Sequence, residues 1–128
     1  MRKRPQKPAA PAGSREPRYD VRPGKRGRSF RVAVIHVDTG DITHATPTNL
    51  NTSGCFVQCG APYPKETEVS VSAIAHAGTE ELRFTIRGWV AYQADGGMGI
   101  QFDGVAPEVE KTILRILELF RPGNQPPA

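Results

Sequence analysis

Two cysteines, two methionines and one tryptophan are all that 128 residues hold of these types, and aromatic residues make up only 7%. Each shortage narrows the class. Cys55 and Cys59 lie in a segment that reads as extended, which would set them ~13 Å apart along one strand, too far to bridge. No histidine stands at ligand spacing from them, so a zinc site is not expected. Two unpaired buried thiols in a reducing compartment are the expected state. No apolar run approaches the ~18 residues that span a bilayer. The basic start Met1-Arg2-Lys3-Arg4 runs into Pro5-Gln6-Lys7-Pro8 rather than an apolar stretch, unlike a secretory leader. These absences predict a cytoplasmic protein with no membrane insertion.

Catalytic groupings are missing as well. His36, His44 and His76 are scattered, no acidic pair stands in a recognisable motif, and Gly96-Gly97-Met98-Gly99 lacks the lysine and following helix of a phosphate-binding loop. The expectation is a binding protein rather than an enzyme, with no metal and no resident cofactor.

What the chain does have is proline, glycine and an uneven charge. Twelve prolines and thirteen glycines weigh against a helical fold, and the prolines gather towards the two ends. The net charge of +4 conceals an asymmetry: residues 1–31 carry eleven Lys or Arg against Glu16 and Asp20, a net of +9, which leaves −5 on the remainder. A basic arm on an acidic body points to an anionic partner for the arm, whether a nucleotide, a nucleic acid, a lipid headgroup or the body itself. Residues 1–14 have the composition of a disordered basic tail and residues 122–128 that of a second loose tail. One domain is expected over residues 15–121.

Within that domain the patterning is mostly that of strands. Residues 15–29 are basic and rich in Pro and Gly, so they are expected to be extended or turning, with Tyr19 and Val21 as apolar anchors. Residues 30–38 and 42–46 form a hairpin across Thr39-Gly40-Asp41. Residues 49–54 are turn chemistry, and 55–60 a strand with Phe56 facing away from Cys55 and Val57. Residues 68–76 alternate, with Val69, Val71, Ala73 and Ala75 on one face. Strands at 82–91, containing Trp89 as core or barrel wall, and at 98–102 complete six, which predicts a small antiparallel six-stranded β-barrel. Pro107 opens a helix reaching Arg121, with Val109, Ile113, Ile116, Leu117 and Phe120 in one stripe that covers a barrel end. Leu114 and Leu119 fall off that stripe, which suggests a surface for a partner.

Two short elements carry the functional argument: Arg18-Tyr19-Asp20-Val21-Arg22, and Asn49-Leu50-Asn51-Thr52-Ser53-Gly54, with Asn49 standing 27 positions after Arg22. An extended four-residue step puts Arg18 and Arg22 on one side, ~13 Å apart. Guanidinium forks suit phosphate oxygens or the O6/N7 edge of guanine, and they stack on base faces. A dinucleotide could be straddled by such a pair. The neighbouring Gly and Pro residues suggest an arm that is mobile when empty and orders on binding.

The two elements resemble the RxxxR and [D/N]xSxxG motifs of PilZ domains. Gly88-Trp89-Val90-Ala91-Tyr92 and Gly97-Met98-Gly99-Ile100-Gln101-Phe102 are similar to that family's last two barrel strands, and a closing helix follows. The likeness spans about residues 15–121. It implies a β-barrel receptor for cyclic di-GMP, often bound as an intercalated dimer. In it Arg18 and Arg22 grip the ligand, Asn49 contacts a guanine edge, Asn51 contacts guanine or phosphate, and Gly54 permits a tight turn and close backbone approach. Two departures stand out: Asn51 where the pattern has serine, and Pro17 where many members carry a further arginine. With no output domain in view, such a module acts by changing its arm or its partner, coupled to motility, exopolysaccharide or development, with the C-terminal helix or the arm as the partner surface. A protein-interaction adaptor of the same fold that no longer binds nucleotide is the alternative, with Asn49 and Asn51 then ordinary turn residues. Nucleic-acid binding by the arm is the less expected third, recognisable by salt-dependent, sequence-indifferent affinity.

Overall fold

Alternation at period two decides which residues make the wall of this fold. The computed structural model describes residues 19–20, 27–94 and 96–121, so the tails expected at 1–14 and 122–128 lie outside the described residues. The elements follow in the order β1 (Tyr19–Asp20), β2 (Arg28–His36), β3 (Ile42–Asn51), β4 (Gly54–Gln58), β5 (Glu68–Ala77), β6 (Glu80–Ala94), β7 (Gly97–Phe102) and α1 (Pro107–Leu119). Strands run β3-β2-β5-β6-β7-β4 around the sheet, and β4 returns to β3, so six antiparallel strands close into a barrel. The six-stranded barrel with a C-terminal helix anticipated from patterning is the observed architecture.

Val69, Val71, Ala73 and Ala75 of β5 are all buried, while Ser72 among them and His76 just after them are exposed, as the alternation requires. Cys55 and Val57 likewise point into the core and Phe56 out of it. Val34, Val57, Val69, Val71 and Val90 are fully enclosed; each such side chain taken from water contributes about 1.5–3 kcal/mol. Trp89 is buried yet stands outside the main apolar cluster, because its partners across the sheet are the outward-facing positions Glu68 and Gln101. It belongs to the wall.

Barrel closure turns on β3, which changes partners halfway. Residues 42–45 pair with β2, residues 46–51 with β4, and the register breaks between Pro47 and Asn49. Proline has no N–H to give a ladder, so a bulge is where such a strand tolerates it. Beyond the break β3 has parted from β2, and its freed edge takes β1, with Tyr19 opposite Leu50 and Asp20 opposite Asn49. One expectation becomes specific here and one changes. The basic segment contributes a short strand, and Asn49 belongs to a strand rather than to the turn, because the paired register extends three residues past the bulge.

Helix α1 starts with Pro107 at its first position and Glu108 and Glu110 in its first turn, which suits the positive end of the helix dipole. Its buried face consists of Ile113, Ile116, Leu117 and Leu119, continued by Phe120, whose ring lies 5.9 Å from that of Phe30. Leu119, expected off the stripe, is therefore covered, and the helix as a whole packs against both β6 and β3. Leu114 remains 52% exposed, so the partner surface expected on this helix shrinks to its middle turn.

A charged latch fixes the same helix to the start of β6. Arg115 donates from Nε and Nη2 to the two carboxylate oxygens of Glu80 at 2.9 and 2.8 Å, and from Nη1 to Glu118 at 2.7 Å. The Arg115 hydrogen bonds hold the Glu80 carboxyl below its ordinary range. A carboxyl whose folded pKa is depressed contributes stability that is present above its unfolded value, about 4.3, and lost as pH falls through the folded one. Glu80→Gln should therefore lower Tm at neutral pH, with the deficit closing on acidification. A deficit of equal size at about pH 2.5, below the carboxylate range, would show that packing rather than charge makes the latch.

Candidate functional site

The turn joining β3 to β4 is two residues long, and its conformation is held by one side chain. Oδ1 of Asn51 accepts the backbone N–H of Ser53 at 2.8 Å and of Gly54 at 3.0 Å. Asparagine bonding its own downstream backbone is the usual Asx-turn device. Asn51 is only 1% exposed, so its oxygen is committed inside the hairpin. The turn is tied in turn to the neighbouring strand β7, where the Phe102 N–H donates to the Ser53 carbonyl at 2.8 Å.

Gly54 begins β4 directly against β7, opposite Gln101. A Cβ there would run into the carbonyl oxygen of Ile100. Its φ is not in the left-handed region, so the glycine is required by strand approach and not by the turn. This refines the role expected of it: the close backbone neighbour is β7.

Asn49 stands differently. It is half-buried, on the outward face of β3, with Asp20 of β1 on one side and Phe56 of β4 on the other. The same register continues to Gly99 of β7 and then to Tyr92 of β6. Asp20, Asn49, Phe56, Gly99 and Tyr92 thus form a single row crossing five strands, ~19 Å long at the usual strand spacing. Phe56 and Tyr92 lie nearly parallel, at 22° with centroids 6.1 Å apart. They can do so because Gly97 and Gly99 have no side chains: a Cβ on Gly97 would stand 2.7 Å from the Phe56 ring, and one on Gly99 would enter the Tyr92 ring. Tyr92 is 43% exposed. Sequence reasoning missed this aromatic pair; its signal was the Gly-x-Gly of β7 facing an aromatic on each neighbouring strand.

Among the expected site residues the fold therefore gathers Asn49, Asn51 and Gly54 on one hairpin, with Asn49 facing outward and Asn51 turned in. Arg18 and Arg22 lie outside the described residues, but the strand between them, β1, is paired with β3 at Leu50 and Asn49. The described side chains of the row, Asn49, Phe56 and Tyr92, are all uncharged.

Other chemistry is sparse. Both cysteines are free thiols, Cys55 buried and Cys59 half-buried, and burial pushes the Cys59 thiol up, with a backbone hydrogen bond to Ala61 opposing. Among the described residues no group of three or more His, Cys, Asp or Glu side chains could hold a metal ion, and no helix is long and apolar enough to cross a membrane. No protein-family model and no curated protein matches the chain.

Proposed function

We propose that this protein is a cytoplasmic receptor for cyclic di-GMP of the PilZ type, which signals by ordering its basic arm against the barrel. The observation that carries the reading is the register of β1, which sets Asp20, the centre of the Arg18-to-Arg22 segment, directly beside Asn49. Two motifs 27 positions apart in sequence are adjacent on one sheet edge. The ligand's phosphates meet the two guanidiniums, and a guanine edge meets the amide of Asn49, a group able to donate and accept at once. The uncharged row beyond Asn49 leaves room for a second base or a second, intercalated ligand molecule. Output follows through the arm or the exposed middle of α1 to a protein partner governing motility, exopolysaccharide or development.

A second reading, an adaptor of the same fold without nucleotide, draws on the carbonyl oxygen of Asn51, which is engaged by its own turn. Calorimetric titration separates the two. Cyclic di-GMP should bind saturably at micromolar or tighter affinity, while GTP and the linear dinucleotide bind far more weakly. Equal, salt-sensitive heats for all three would mean a non-specific basic arm, and no heat from any of them would leave the adaptor.

A further inference from the structure

The strand register places a second cationic surface across the barrel from the Asn49 row. In the closed ring of six strands β5 is three steps from β4 in either direction, so the two strands lie opposite each other. On the outer face of β5, Ile74 is flanked by Arg31 of β2 and Arg83 of β6. The neighbouring outward row contains His44, Ala33, Ser72 and Thr85, each beside the next. Ala33 and Ser72 are short, the arginines beside them are long, and the difference leaves an open groove of about 650 Å³.

Charge in this groove has one sign. Its lining includes Arg31, Arg83 and His44 and no carboxylate. Arg31 makes no ion pair with the described residues, and the partner of Arg83, Glu81 at 2.7 Å, forms an exposed pair. Such pairs are worth little and are readily exchanged for a better acceptor. Two strand spacings separate the arginine backbones by ~10 Å, a span from which two long side chains converge on one phosphate or clamp two. The hydroxyls of Ser72 and Thr85 supply further donors, and Ile74 with Ala33 gives an apolar floor. The volume exceeds what inorganic phosphate needs and falls within the ~300–1,000 Å³ of small-molecule sites.

We propose that this groove on β2, β5 and β6 is a binding site for a phosphorylated small molecule of nucleotide size, separate from the site at Asn49. The chemistry is that of a phosphate held by Arg31 and Arg83, with the remainder of the ligand lying over Ile74 and Ala33. This inference stands whether or not the Asn49 row binds cyclic di-GMP.

The test is a titration of the full chain with GMP, AMP and inorganic phosphate, followed by backbone amide NMR. Saturable shifts at Ala33, Ser72, Ile74 and Thr85 are expected with either mononucleotide, and weaker ones with phosphate alone. Arg31→Ala/Arg83→Ala should weaken mononucleotide binding by about tenfold or more, whereas Arg18→Ala/Arg22→Ala should leave it unchanged. Both arginines are exposed, so the variant should retain its Tm. As a second probe, Ser72→Leu should block the groove without touching its charge. Shifts that survive in both groove variants would overturn the proposal, as would no saturation by any of the three ligands. Stronger, sequence-indifferent shifts of the same amides by duplex DNA would also overturn it, in favour of a nucleic-acid surface.

Discussion

Gly54→Ala is expected to destabilise the barrel by about 3 kcal/mol, the upper end for forcing extra volume into a packed site, and to lower Tm by about 12 °C. The added methyl would meet the Ile100 carbonyl oxygen, a backbone atom of the neighbouring strand. A side chain in the way can rotate; a carbonyl paired into a ladder moves only if the strands separate. The strands in question are β4 and β7, which join the β3 hairpin to the rest of the ring, so the strain falls on barrel closure itself. Gly99→Ala provides the contrast. There the atoms nearest the new methyl all belong to the ring of Tyr92, which is 43% exposed and has solvent to swing into. Its expected cost is below about 1 kcal/mol, within the range of tolerated surface changes. Thermal unfolding of the two variants decides the role of Gly54. If Gly54→Ala kept its stability and lost only ligand binding, the glycine would serve ligand approach and not strand approach.

How far these features are legible in the sequence differs by element. The strand at Glu68–Ala77 reads plainly because β-branched and small apolar residues alternate with Ser and His, and a strand with one buried face needs nothing more. The same holds for the closing helix, apart from Leu119, whose burial is set by packing in the assembled fold, a tertiary fact that helical periodicity does not carry. β3 was half legible. A proline inside a β-rich run suggests a break, and residues 49–54 have turn composition, so the strand was expected to stop at Thr46. The fold instead absorbs Pro47 in a bulge and continues to Asn51. That continuation is what brings Asn49 beside Asp20, so the juxtaposition central to the proposed function rests on the least legible strand. The Asx turn of Asn51 was foreseen as the plain structural reading of that residue, since asparagine two and three residues before Ser and Gly is ordinary turn chemistry. The row through Phe56, Gly99 and Tyr92 was not, because cross-strand neighbours are set by register, and register is a property of the assembled sheet.

Cyclic di-GMP affinity should fall by at least about 100-fold in Arg18→Ala/Arg22→Ala, given that a hydrogen bond to a charged group is worth about 1.5–3 kcal/mol and two guanidiniums are lost. Asn49→Ala, which removes one neutral amide, should cost about tenfold. The more telling variant is Arg18→Lys/Arg22→Lys. It retains both charges of the +9 segment but replaces a planar fork with a point charge that neither pairs in two places nor stacks on a base. If the arm recognises a dinucleotide, lysine should recover only a small part of the loss. If the arm merely attracts anions, lysine should restore affinity in full, and the selectivity for the cyclic ligand over GTP should be absent from the parent as well. Hydrogen exchange supplies a readout that affinity alone does not. Ligand should slow exchange at the amides shared between β1 and β3, around Tyr19, Asp20, Asn49 and Leu50, because gripping the arm also fastens the two-residue strand that lies between its arginines. Binding that left those amides unprotected would place the ligand away from the hairpin, and the adjacency of the two motifs would then be an incidental consequence of how β3 closes the barrel.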